Sequence, residues 1–204
     1  MLRVGLTGGI ACGKTTVARL LERQGAHVAY ADLIAKEMIQ PGGAAYHGVV
    51  ERFGPEILDP SGEINRMQLA AKAFGTPSRV EELNHIIHPA VIARQNEWMA
   101  EVASKDPHGI AVVEAALIYE AGAEKDFDKI VVVTCRPEQK AERFANRTLM
   151  SLDKARIEAE QRSRAQISDE DKASRADYVI DNSGPESATQ QQVDRIWQEL
   201  KKLA

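Results

Sequence analysis

Residues 8–15 read Gly-Gly-Ile-Ala-Cys-Gly-Lys-Thr, and this octet constrains the fold more than any other stretch of the chain. It is a complete G-x-x-x-x-G-K-[ST] phosphate-binding loop. A short apolar run, Val4-Gly5-Leu6, precedes it, and a helical pattern from Thr16 to Arg23 follows. A strand feeding a glycine loop feeding a helix aims backbone N–H groups and the positive helix end at one point. Gly8, Gly9 and Gly13 let the backbone wrap a phosphate without side-chain clash, and Ile10, Ala11 and Cys12 complete the wrap. Lys14 has the reach for β and γ phosphates, and the Thr15 hydroxyl is placed to ligate magnesium. The candidate nucleotide-binding segment therefore runs from Gly8 to Thr16.

The rest of the chain is consistent with one α/β body. Five β-rich runs stand out: Val4 to Leu6, Val28 to Tyr30, Ile110 to Glu114, Ile130 to Thr134 and Tyr178 to Ile180. Most are continuously apolar rather than alternating, as strands buried on both faces of a parallel sheet are. Helical patterns separate them, so the expected class is a five-stranded parallel sheet flanked by helices. The interval from Ala31 to Gly109 is too long for one crossover helix. It carries turn signals at Pro41-Gly42-Gly43 and Asp59-Pro60-Ser61-Gly62, then a long helix or two over Ser78 to Met99, interrupted near Pro89. We expect an inserted helical subdomain there. Glu138 to Arg175 reads as a second, arginine-rich helical stretch, and Ser187 to Leu203 as a terminal helix with Val193, Ile196, Trp197 and Leu200 on one face.

With 204 residues and 44% hydrophobic content, one core with an insert is the expected organisation. The net charge of −4 favours neither a nucleic-acid nor a membrane partner. No apolar run is long enough for a membrane span, and no leader pattern precedes the first strand. Cys12 lies in the loop and Cys135 ends a predicted strand, so no bridge between them is expected, and a reducing cytoplasm is the expected setting. A monomer or small homo-oligomer is the expected assembly.

Several side chains extend the candidate site. Asp32 lies just past the second strand, where α/β sheets bind ligands. Its carboxylate suits a base or magnesium-orienting role, or alternatively an N-cap for a helix starting at Leu33. Glu114 ends the third strand, where it reads as magnesium-linked or as a salt-bridged strand end. Gln139, Arg143 and Arg147 recur every four residues and share one helix face, with Arg164 further on. They read either as a lid stabilising the charge of phosphoryl transfer or as a solvated stripe. Asp181-Asn182-Ser183-Gly184-Pro185 follows the fifth strand, and it reads either as a loop whose backbone contacts an adenine edge, with Asn182 and Gly184 fixing the turn, or as an ordinary turn. His85 and His88 lack further ligands for a metal, and His88 before Pro89 suits a helix break or acceptor contact.

Taken jointly, these residues resemble the dephospho-CoA kinase family. The matching pieces, in family order, are Leu6-Thr7-Gly8-Gly9-Ile10, Ala31-Asp32-Leu33-Ile34-Ala35 with Pro41-Gly42, Phe53-Gly54, Ile87-His88-Pro89, Leu117-Ile118-Tyr119-Glu120, the arginine segment, and Ala176 to Gly184. The resemblance implies transfer of the ATP γ-phosphoryl group to the ribose 3′-hydroxyl of dephospho-CoA, with magnesium. It implies catalytic roles for Asp32, Lys14, Arg143 and Arg147, and acceptor contacts from Asp32, His88, Leu117, Tyr119, Glu120 and Arg164. It also implies a nucleotide core (1–31, 109–137 and 176–204), a helical acceptor insert (32–108) and a lid (138–175). One departure stands out: Glu114-Ala115-Ala116 replaces the family's usual Asp-x-Pro.

Overall fold

The computed structural model describes residues 1–73, 76–164 and 166–204. The five expected strands are β1 (Leu2–Gly8), β2 (His27–Tyr30), β3 (Ile110–Glu114), β4 (Lys129–Thr134) and β5 (Tyr178–Asp181). They form one sheet in the order β2-β3-β1-β4-β5. Leu6 of β1 lies opposite Glu114 of β3 and Val131 of β4, all in parallel register. The central strands are buried through Val4, Leu6, Val112, Val113, Val131 and Val132, which accounts for their unbroken apolar runs. The edge strands β2 and β5 are shorter and partly exposed. A parallel sheet delivers the carboxyl ends of β1, β3, β4 and β5 to one edge, so Gly8, Glu114, Thr134 and Asp181 share it.

The described helices are α1 (Lys14–Gln24), α2 (Ala31–Met38), α3 (Tyr46–Phe53), α4 (Arg66–Ala73), α5 (Pro77–Lys105), α6 (Pro137–Thr148), α7 (Leu152–Arg164), α8 (Asp169–Ser174) and α9 (Glu186–Leu203). Helix α1 buries Val17, Ala18, Leu20 and Leu21 and stops at Gly25, whose φ of 110° closes the helix in the left-handed region. Helix α9 buries Val193, Ile196, Trp197 and Leu200, the expected face. Residues 1–29 with 99–204 form one compact unit and residues 30–98 a second. The second has its own core of Met38, Val49, Phe53, Ile57, Leu69 and Ala73.

Two local expectations need correction. The break near Pro89 is absent, since α5 continues through it. A proline removes one backbone donor, and the rest of a 29-residue helix outweighs that loss. Asp32 is not the cap of α2: Tyr30 holds that position and the helix begins at Ala31. Asp32 lies in the first turn, where its negative charge favours the helix dipole. The arginine-rich stretch resolves into α6, α7 and α8. Gln139 Oε1 accepts from the Arg136 amide at 3.3 Å where α6 begins, and Leu149, with φ 55°, caps its other end.

Candidate active site

The loop from Gly9 to Gly13 joins β1 to α1 and has little freedom. Gly8 has φ 145°, and a Cβ there would lie 2.1 Å from the Val133 carbonyl oxygen. Gly13 has φ 93°, and a Cβ there would lie 2.1 Å from Asn182 Nδ2. Both positions exclude any other residue, one by contact with β4 and the other by contact with the loop after β5. Ala11 holds φ 55°, a conformation that side chains adopt sparingly and that strained functional loops keep. Ile10 turns inward and packs on Phe144, Ala155 and Ala159, tying the loop to α6 and α7. Lys14 curls over the loop, and its Nζ donates to the carbonyls of Gly8 (3.1 Å) and Gly9 (3.0 Å).

The Asn182 side chain braces the phosphate loop. It is buried, its Nδ2 donates to the Cys12 carbonyl at 2.8 Å, and its Oδ1 accepts from Thr189 at 2.7 Å. The side chain thus clamps the loop, with α9 supplying the back support. Its own carbonyl accepts from Arg143 Nη2 at 2.8 Å, and Gln139 Nε2 donates to the Ser183 carbonyl at 3.0 Å. Arg143 Nη1 is buried without a partner and lies 3.9 Å from where a Gly13 Cβ would be. A buried guanidinium donor left open beside a phosphate loop is a ready anion contact. Gly184 follows in the same loop and makes only an ordinary approach to Ala188.

The remaining arginines separate. Arg147 stacks on the Phe144 ring at 5.3 Å, and Arg162 stacks on the same ring at 5.2 Å. Arg147 is thereby engaged with the ring, although it follows Arg143 by one turn. Arg164 pairs with Glu160 at 2.9 Å and is largely exposed. It nevertheless lines a cavity of about 290 Å³ together with Gly9, Lys140 and Asp169.

Thr15 Oγ1 donates to Glu114 Oε2 at 3.3 Å, so the parallel pairing of β1 and β3 brings the hydroxyl of the loop to the strand-end carboxylate. No cluster of three or more His, Cys, Asp or Glu with metal-binding geometry occurs among the described residues. Beyond Glu114, Leu117 is half-buried and Tyr119 is buried, with its hydroxyl unpartnered and Arg175 over its ring at 5.8 Å. Burial pushes the Tyr119 phenol up from its ordinary value, reinforced by the Asp177 charge. Glu120 turns inward: its Oε1 accepts from the Ile167 amide at 3.0 Å and pairs with Lys172 at 2.9 Å. Lys172 is wholly buried and also donates to the Ala116 carbonyl at 3.1 Å. A lysine that deep is stable only with such acceptors around it.

In the second unit, Asp32 is exposed in the first turn of α2, and His88 is half-buried in α5. His85 Nδ1 is bonded to the Glu81 carbonyl at 2.8 Å, as befits a helix residue rather than a metal ligand.

Two further groups at the loop have no signature in the sequence. Asp169 brings Oδ1 to 2.3 Å from where a Gly9 Cβ would be, and it pairs with Lys140 at 2.6 Å. Burial pulls the Lys140 ammonium down, but the Asp169 carboxylate outweighs it and the pKa is raised. Cys12 and Cys135, between which no bridge is expected, have their sulfurs 3.2 Å from each other. The pairing of β1 with β4 accounts for this, because the loop after β1 and the end of β4 occupy the same sheet edge. Both thiols are free.

Residues 2–187 match the family model described as dephospho-CoA kinase. The dephospho-CoA kinase of Geobacter metallireducens is 42% identical over 98% of this chain and 96% of its own. That of Syntrophus aciditrophicus is 39% identical over 99% of this chain and 84% of its own. A solved protein of Thermus thermophilus is 28% identical, with a TM-score of 0.77 over 98% of this chain and 97% of its own.

Proposed function

The chain belongs to the dephospho-CoA kinase family, and from that premise we propose how its residues share the work. The reaction transfers the γ-phosphoryl group of ATP to the 3′-hydroxyl of the dephospho-CoA ribose, giving coenzyme A and ADP, the last step of coenzyme A synthesis. ATP binds with its phosphates in the loop from Gly8 to Thr16. The observation that carries this assignment is the convergence on that loop of Lys14 and of the unpartnered Arg143 Nη1. On binding, Lys14 exchanges the Gly8 and Gly9 carbonyls for phosphate oxygens, and Nη1 gains the acceptor it lacks. Both cations meet charge that spreads over the equatorial oxygens in the transition state. Arg147, stacked on Phe144, acts on the lid rather than on the phosphoryl group.

Asp32 accepts the proton of the attacking hydroxyl. Its support is its place at the start of α2, directly after β2, and the family resemblance of Ala31 to Ala35. His88, Leu117 and Tyr119 contact the acceptor, while Glu120 serves through Lys172 and the Ile167 amide. Residues 32–108 form the acceptor insert and 138–175 the lid. Magnesium fits the oxygen pair of Thr15 and Glu114, hard donors held side by side. When bound, it neutralises charge on the β and γ phosphates. We place the enzyme in the cytoplasm. Two free cysteines support this, and no described helix is long and apolar enough to cross a membrane.

The test is ADP release from ATP with dephospho-CoA, AMP, adenosine or no acceptor, each with magnesium or with EDTA. The reading requires turnover with dephospho-CoA and magnesium alone. Preference for AMP or adenosine would overturn the acceptor assignment, and equal rates in EDTA would overturn the metal assignment.

A further inference from the structure

We propose that Cys12 and Cys135 form a reversible disulfide site, closed by a peroxide, and that closing it disables the phosphate loop. The juxtaposition is specific. The sulfurs lie 3.2 Å apart, a bond needs about 2.05 Å, and both thiols are buried side by side. The pairing of Gly8 with Val133 fixes the two backbones in register at this edge. Asn182 further holds the Cys12 carbonyl. No larger rearrangement than a local closing of the loop is needed.

The two thiols are chemically unequal. In the neutral pair Cys135 donates to Cys12, and Cys12 donates to Asp169 Oδ2 at 3.7 Å. The proton leaves from Cys135, whose pKa is lowered because the Cys12 thiol can turn to donate to the thiolate, with the Arg143 and Lys140 charges assisting. Cys12 is held well above the ordinary thiol range by that same hydrogen bond, by burial and by the nearby Asp169 charge. Cys135 is thus the attacking sulfur and Cys12 the resolving one. The Cys135 thiolate displaces hydroxide from hydrogen peroxide and becomes a sulfenic acid. Cys12 sulfur then attacks it, its proton leaves with the hydroxyl group as water, and the S–S bond forms. Two thiols and one peroxide give one disulfide and two waters.

The consequence falls on the nucleotide. Cys12 sits between Ala11 at φ 55° and Gly13 at φ 93°, within the segment that wraps the phosphates. Drawing its sulfur toward β4 by about 1 Å shifts that wrap, and a displacement of this size at a reacting centre costs about 10²-fold in rate. The bond itself is independent of the kinase assignment, whereas its effect on turnover rests on it.

The reduced full-length protein is treated with a small excess of hydrogen peroxide. Free thiols are counted in denaturant, intact mass and linked peptides are read by mass spectrometry, and turnover is followed before and after dithiothreitol. The expected result is loss of both thiols, a mass lower by two hydrogens, a Cys12–Cys135 linked peptide, and turnover down about 10²-fold and restored by dithiothreitol. Cys135→Ser, or Cys135→Ala should the serine variant fold poorly, retains turnover and resists peroxide. Two thiols surviving, oxygen added to Cys135 in place of the bond, or a bond between two chains would overturn the site. A linked peptide without loss of turnover, or equal inactivation of the Cys135 variants, would overturn its effect on the loop.

Discussion

Replacing Asn182 with alanine isolates what holds the phosphate loop in shape. The substitution removes the bond from Nδ2 to the Cys12 carbonyl and the bond from the buried Thr189 hydroxyl to Oδ1. Each partner is left in the protein interior, and an unsatisfied buried polar group costs about 1–3 kcal/mol, so the pair costs about 2–6 kcal/mol. Thr189→Val strands only Asn182 Oδ1 and costs about 1–3 kcal/mol. The double variant has no orphaned hydroxyl, because Thr189→Val removes the group that Asn182→Ala exposes. It has no orphaned Oδ1 either, so its cost falls below the sum of the single variants by two groups, about 2–6 kcal/mol, a coupling that a double-mutant cycle reads directly. Urea unfolding followed by fluorescence gives the four free energies, and ATP titration gives the loop's competence. Asn182→Ala should weaken ATP while Thr189→Val should leave it nearly unchanged, since the Cys12 bond survives. Strict additivity, or a loss in Asn182→Ala near that of an ordinary surface change, would refute the clamp.

Four further outcomes are expected. Asp32→Asn should lower turnover by ~10² to 10⁴ with ATP binding intact, measured by initial rates and nucleotide titration. Arg143→Ala should lower kcat by about 10² to 10³, as loss of a transition-state donor does. Arg147→Ala should instead cost about 0.5–2 kcal/mol of stability through its lost stacking on Phe144, read from unfolding curves. Lys172→Met should destabilise by about 3–5 kcal/mol in thermal or urea unfolding, because Glu120 is left as a largely buried, unpaired charge.

What the sequence disclosed and what it hid divide by range. The phosphate loop is local: eight consecutive residues specify glycine conformations, a lysine and a hydroxyl, and the structure realises them in place. The five strands were legible because burial on both faces of a parallel sheet leaves unbroken apolar runs. Strand order was not legible, and the surprises follow from it. Only the adjacency of β1 and β4 brings Cys135 to Cys12. Only the adjacency of β4 and β5 brings the Asn182 side chain to the Cys12 carbonyl. The buried Lys172 and its partner Glu120 lie far apart in the chain and have no spacing rule to announce them. Pro89 misled for the opposite reason. Its local preference is real, and a long helix overrides it.

The most direct test of the account is the chemical identity of the product. Wild-type protein is incubated with ATP, magnesium and dephospho-CoA, and the acceptor is examined by mass and by phosphorus and proton NMR. The account predicts one added phosphoryl group, present as a monoester on the ribose 3′ carbon, formed in equal amount with ADP. ADP accompanied by inorganic phosphate and unchanged dephospho-CoA, or a monoester on any other hydroxyl, would contradict it.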